Sequence, residues 1–229
     1  MFASLDRVDI VLKEDSDGRK RFVQTDHRTT AELEREPELS SLMALVRILN
    51  PKRMAEPGSP EPLVVYSARE RPPEALRRVI LAAGAQIVLG DDFKPDAAEK
   101  ESPALDAVIQ STFTGLARAV AAEFQAPLTA EGLRKVEDAL AGLAGSPETD
   151  EAAYWISVLK LGSFGGEVIR STNGGQWLVS DSGTLPFTLS TSFRGEEARV
   201  NPLGKAIKRF ANGEEDSLVS LVELLQSEP

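Results

Sequence analysis

A single histidine, no cysteine and 36 acidic side chains bound the chemistry open to this 229-residue chain. Without thiols there is no disulfide framework, no thiolate zinc site, no iron–sulfur cluster and no thiol nucleophile. One imidazole excludes a site built on several histidines. His27 is the first residue to weigh, since histidine is the usual general base near neutral pH. It stands in Thr25-Asp26-His27-Arg28, just past a strand-like segment that a hairpin would fold back along Asp9. Asp9, Asp26 and His27 placed so would suit a carboxylate-dependent hydrolase or a metal-assisted phosphodiesterase, with Arg28 steadying an anion. The second strand lacks the lysine of a nuclease-like acid-x-Lys pattern. A lone histidine in a turn is also a common surface or cap residue, and the catalytic candidates stand against that plainer reading.

Other motifs are defined by what they lack. No Gly-x-Ser-x-Gly elbow and no Gly-x-x-x-x-Gly-Lys-Ser/Thr phosphate loop occur. Glu14, Asp15 and Asp17 bunch at a hairpin tip and Asp91-Asp92 follow a strand end, but neither has the spaced ligands of a calcium loop. They read as turns, and neither metal nor cofactor is expected. Gly162-Ser163-Phe164-Gly165-Gly166 reads as a sharp turn from helix to strand, its glycines letting Trp155 or Trp177 approach the backbone. Gly174-Gly175-Gln176 spells the tripeptide of peptide-release factors, yet it runs straight into the apolar Trp177-Leu178-Val179 and reads as a hairpin turn.

Two cationic clusters are candidate partner-binding surfaces. Lys205, Lys208 and Arg209 fall at i, i+3 and i+4 on one face of a helix. Arg69, Arg71, Arg77 and Arg78 gather around a helix that Pro73 opens, and arginine is enriched at binding hot spots. Against them, 36 acidic residues outnumber 26 basic ones, for a net charge of -10. That balance opposes sequence-independent binding to nucleic acid and would steer the chain toward a basic protein partner.

The elements that must position these residues fall into two patterns. Over 1–93, Val8, Ile10 and Leu12 alternate, Asp15 to Gly18 supply a turn, and Arg21 to Thr25 resume a strand. Leu39, Leu42, Met43, Val46 and Leu49 form a helix face that Asn50-Pro51 ends. After a loop holding Pro57, Gly58, Pro60 and Pro62, strands at Leu63–Tyr66 and Ile87–Leu89 flank the Pro73 helix. The order ββαβαβ predicts a small α/β domain. Residues 94–102 are polar and charged and read as a linker. Over 103–229, Ser102-Pro103 opens the first of three helices, the third running from Ser146-Pro147 to Gly162. Strands follow at Glu167–Arg170, Gln176–Val179 and Phe187–Phe193, then helices begin at Asn201-Pro202 and Ser217. This lobe is predicted to be α+β. No apolar run reaches signal-peptide or membrane-span length, so a cytoplasmic protein is expected.

The C-terminal third also resembles a loosely defined set of uncharacterised bacterial domains over about residues 150–220. The residues that carry this are Leu161-Gly162, Phe164, Gly166-Glu167, Gly174-Gly175, Trp177, Asn201-Pro202, Lys205, Lys208-Arg209, Asn212-Gly213 and Asp216-Ser217. The resemblance implies a bacterial origin and an α+β domain, and it assigns no catalytic residue. The leading expectation is a non-enzymatic, protein-binding regulator or adaptor. Its alternatives are an immunity-type inhibitor of a basic toxin and the hydrolase built on Asp9, Asp26 and His27.

Overall fold

The computed structural model describes residues 8–14, 20–55, 61–89, 94–95 and 104–226. The chain divides into two units, Met1–Val108 and Ile109–Pro229. The first is an α/β unit and the second α+β, and each is described by itself.

In the first unit, strands β1 (Val8–Glu14) and β2 (Lys20–Asp26) pair antiparallel, with Val11 opposite Val23. Strands β3 (Leu63–Ala68) and β4 (Gln86–Leu89) continue the sheet in parallel, and β5 (Lys94–Pro95) closes it antiparallel to β4. The spatial order is β1-β2-β3-β4-β5, which leaves β1 at an edge. Three helices interleave: α1 (Thr30–Leu33), α2 (Pro37–Arg53) and α3 (Glu74–Ala82). Crossovers between neighbouring parallel strands are right-handed as a rule, which puts α2 and α3 on the same face of the sheet, and the two helices pack together. That face is identified by Gln24, whose amide donates to the Arg47 carbonyl of α2 at 2.9 Å. Gln24, Tyr66 and Ile87 share it through the register, and all three are buried. Val23, Val65 and Val88 form a second apolar cluster on the opposite face, with Leu63 packed against it.

Three sequence expectations change here. Lys94-Pro95, expected to begin a linker, is the strand β5. The helix that Asn50-Pro51 should end continues through Pro51 to Arg53. The capped turn α1 has no counterpart in the predicted order; a reciprocal box holds it, with Thr29 accepting from the Glu32 amide and the Glu32 carboxylate accepting from the Thr29 amide. The turns at Asp15–Gly18 and Asp91-Asp92, most of the proline loop at 57–62, the remaining linker residues 96–102 and the Ser102-Pro103 cap lie outside the described residues.

The second unit begins within α4 (Leu105–Glu123), followed by α5 (Ala130–Ala141) and α6 (Glu151–Asn173). A meander of β6 (Gln176–Val179), β7 (Phe187–Phe193) and β8 (Glu196–Val200) comes next, then α7 (Pro202–Asn212), a short 3-10 turn at Glu214–Asp216, and α8 (Leu218–Gln226). Thr129, Asp150 and Asn201 cap α5, α6 and α7 by accepting from backbone amides three residues on. Phe113, Phe164, Trp177 and Phe187 are fully buried, and Phe113 stacks on Trp177 with ring centroids 3.8 Å apart.

The glycine-rich segment is the main correction. Gly162 to Gly166 form no turn and Glu167–Arg170 form no strand; both lie inside the 23-residue helix α6. Glycine weakens a helix by about 1 kcal/mol against alanine, so a spatial need must offset that cost. A Cβ on Gly166 would stand 2.1 Å from a Trp177 ring carbon, and one on Gly162 would stand 2.5 Å from Leu203. The glycines let β6 and α7 lie directly on the helix backbone. The expected approach of Trp177 to glycine is thus present, on a helix face instead of in a loop. The third strand of the meander is β8, joined to β7 by Arg194-Gly195, both at positive φ as a two-residue hairpin turn requires.

Candidate functional site

Ligands of parallel sheets gather beyond the carboxyl ends of the strands, so Asp26, the last residue of β2, is the first place to look. Its carboxylate is fully buried and wholly engaged. Oδ1 accepts from the Arg28 amide and from Arg28 Nε, each at 3.0 Å; Oδ2 accepts from Arg28 Nη2 at 2.7 Å and from the Tyr66 hydroxyl of β3. Burial pushes the Asp26 carboxyl up, but the hydrogen bonds and charge of Arg28, with the Tyr66 hydroxyl, hold it below its usual range. Burial and the adjacent carboxylate push the Tyr66 phenol well above its own. Arg28 also donates to Ser40 of α2 at 3.3 Å, so the cluster ties β2, β3 and α2 together. Arg28, expected to steady an anion, already holds one from within.

His27 points the other way. Register puts Asp9 opposite Thr25, on the face away from α2, and His27 Nε2 meets Asp9 Oδ2 at 2.8 Å. The side chains are 46% and 74% exposed. The structure therefore brings together two of the three catalytic candidates and buries the third in a separate ion pair. An exposed pair contributes little energy, and among the described residues no other hydrogen bond reaches either group.

The cationic clusters divide in the same manner. Arg69, Arg71 and Arg78 are exposed, whereas Arg77 is buried and pairs with Glu74 at 2.9 Å. On α7, Lys208 is exposed and Lys205 pairs with Asp216 at 2.6 Å. The hydrogen bonds from Lys205 and Asn212 lower the Asp216 carboxyl. Arg209 is buried against Glu137 of α5 at 3.0 Å. Lys205 and Lys208 border a groove of about 420 Å³ with Val200, Ile207 and Leu221 along it.

Two buried carboxylates of the second unit were not among the candidate site residues read from the sequence. Glu167 accepts from Thr114 at 2.9 Å, from Trp177 Nε1 at 3.0 Å, from Gln110 at 3.4 Å and from Arg170 through Nε and Nη2. It holds α4, α6 and β6 together, and its hydrogen bond raises the Arg170 guanidinium further. Glu137 Oε1 accepts from Arg209 Nε and from the Leu218 amide, each at 3.0 Å, and Oε2 accepts from the Ser217 hydroxyl at 2.7 Å. It joins α5 and α7 and meets the electropositive first turn of α8. Both clusters are internal ties.

What faces solvent without such a role is the edge strand β1. Ile10, Val11 and Leu12 are 38%, 46% and 56% exposed, three consecutive apolar residues that present apolar surface on both faces of the strand. Among the described residues no strand pairs with its outer edge. A solvent-facing edge with large apolar side chains is a template for another strand. The signal in the sequence was the run Ile10-Val11-Leu12, which departs from the alternation expected of a strand with one solvated face.

No group of three or more His, Asp or Glu side chains among the described residues could hold a metal ion, and none of the described helices is long and apolar enough to cross a membrane. The chain matches no protein-family model, no curated protein and no solved structure.

Proposed function

We propose that the protein is a non-catalytic binding module, a regulator or adaptor, that receives a strand of a protein partner along the outer edge of β1. The observation that carries this reading is the exposed Ile10-Val11-Leu12 run on an edge strand whose outer side has no partner strand among the described residues. Strand addition uses main-chain hydrogen bonds for affinity and alternate side chains for selectivity. The charged groups that could have served catalysis support the reading from the other side. Asp26, Glu137 and Glu167 are buried and held by internal donors, and the Asp9–His27 pair lies in solvent.

The test replaces Val11 with a photo-crosslinking residue in cells of the source organism, with the exposed Leu143 of the second unit as the comparison site. Discrete protein adducts are expected at position 11, absent at 143 and lost when Ile10→Lys removes the neighbouring apolar surface. No adduct at position 11 would overturn the reading. A hydrolytic turnover abolished by His27→Ala would favour the hydrolase instead.

A further inference from the structure

Within β1 the five central residues, Asp-Ile-Val-Leu-Lys, are complementary to themselves when reversed about Val11. Antiparallel pairing of two copies centred on Val11 places Val11 opposite Val11, Ile10 opposite Leu12, and Asp9 opposite Lys13, the last two twice by symmetry. From this juxtaposition we infer that the strand received at the β1 edge is β1 of a second copy of this chain, which makes a two-fold symmetric dimer with a continuous ten-stranded sheet. This inference rests on the reading of β1 as a docking edge and names its occupant.

Each observation supports the same register. A two-fold interface must be self-complementary, with residue i meeting j and j meeting i. Charges of opposite sign directly across an antiparallel pair favour it, and like charges disfavour it. The register with β2 puts Asp9, Val11 and Lys13 on one face and Ile10 and Leu12 on the other. One face of the junction would therefore carry a Val11 pair flanked by two Asp9–Lys13 pairs. The other would carry two Ile10–Leu12 pairs, covering the apolar side chains exposed in the single chain. A slip by one residue would put Asp9 opposite Leu12 and Ile10 opposite Val11 and lose both ion pairs, so side chains specify the register. The carboxylate of Asp9 can accept from His27 of its own chain and from Lys13 of the second copy at once, since a carboxylate has about four acceptor positions.

Size sets the expected strength. A seven-residue strand pair buries well below the ~1,600 Å² of a standard interface, which places the dimer among weak, reversible complexes. Two copies of net charge -10 repel each other at low salt. At about 0.15 M salt the screening length is ~8 Å, and contacts at the junction dominate.

The experiment is sedimentation velocity on the full chain from about 2 to 500 µM, at the salt where screening is ~8 Å. The wild type is expected to pass from monomer to dimer across this range. Asp9→Lys and Lys13→Asp each turn both ion pairs of the homodimer into like-charge pairs, and each is expected to weaken dimerisation about tenfold or more. An equimolar mixture of the two variants restores opposite charges at both positions and is expected to dimerise at least as well as the wild type. Both positions are on an exposed strand, and circular dichroism matching the wild type confirms that each variant folds. A wild type monomeric throughout overturns the inference, as does a dimer indifferent to both substitutions or a mixture no better than its components. Adducts of a different protein at position 11 together with a monomeric wild type would remove the self-pairing and leave the docking edge standing. No adducts of any kind would remove both.

Discussion

Removing the Glu137 carboxylate is the sharpest perturbation of the second unit, because three donors from two other segments converge on it. In Glu137→Ala, the Leu218 amide at the start of α8, the Ser217 hydroxyl and the Arg209 guanidinium all lose their acceptor. Breaking a buried ion pair from one side costs about 3–5 kcal/mol, chiefly through the charge left behind. The Arg209 side chain is only 10% exposed. A cavity of about 330 Å³ bordered by Glu137, Arg209 and Ser217 gives water access to the vacated space, so the lower end applies, about 3 kcal/mol. Glu137→Gln is the informative partner. Its amide oxygen can take the Oε1 position and accept from both Arg209 and Leu218, while its nitrogen donates to Ser217. Only the charge-assisted component is lost, about 1 kcal/mol. The assay is denaturant unfolding followed by tryptophan emission, which reports the second unit alone because Trp155 and Trp177 both lie in it. Midpoints should fall in the order wild type, Gln, Ala at unchanged slope. A loss below about 1 kcal/mol for alanine, or equal losses for both variants, would refute the assignment of Glu137 as an ionic tie.

Four further outcomes follow from the same reasoning. Gly166→Ala should destabilise the second unit by about 2 kcal/mol despite alanine's better helix propensity, and should shift Trp177 emission to the red, because the new methyl displaces the indole. Tyr66→Phe should cost about 1.5–3 kcal/mol at neutral pH, as expected for a hydrogen bond to a charged group. It should also flatten the alkaline limb: the folded phenol titrates well above its unfolded value near 10, so wild-type stability is complete below about pH 10 and falls as pH rises beyond it. The carboxyl side has the opposite sign. Asp26 is lowered, so its contribution is complete above about pH 4 and disappears as pH falls through the folded value, a dependence that Asp26→Asn should remove in acid titration of unfolding. His27→Ala should change stability by less than about 0.5 kcal/mol, since its pair with Asp9 is exposed.

Much of the fold was legible from local pattern. The turn-flanked apolar segments of β1 and β2, the apolar stripe of α2 and the cap residues Thr129 and Asn201 each encode structure within a few residues of themselves. The failures share a cause. Gly162 to Gly166 resemble a break because glycine is a poor helix former, but Leu203 and Trp177, distant in sequence, require the missing Cβ atoms. The same distance hid the charged clusters. Lys205, Lys208 and Arg209 share a helix face by spacing, yet Arg209 lies toward Glu137, 72 residues earlier, and leaves the surface. Glu167 meets Gln110 across 57 residues. No periodicity within a window carries such pairings. Asp26 and His27 are adjacent, and adjacent residues on a strand point to opposite faces. Their separation was readable; the depth at which Asp26 is buried was not.

Amide hydrogen exchange along β1 tests the docking edge most directly. In an antiparallel pair with β2, every second amide of Asp9–Lys13 points inward to the ladder and the others face outward. The outward amides should exchange rapidly in dilute protein and become protected as the concentration rises through the dimerisation range, while the inward ones change little. Rapid exchange of the outward amides at every concentration, with the protein dimeric by sedimentation, would contradict strand pairing at β1.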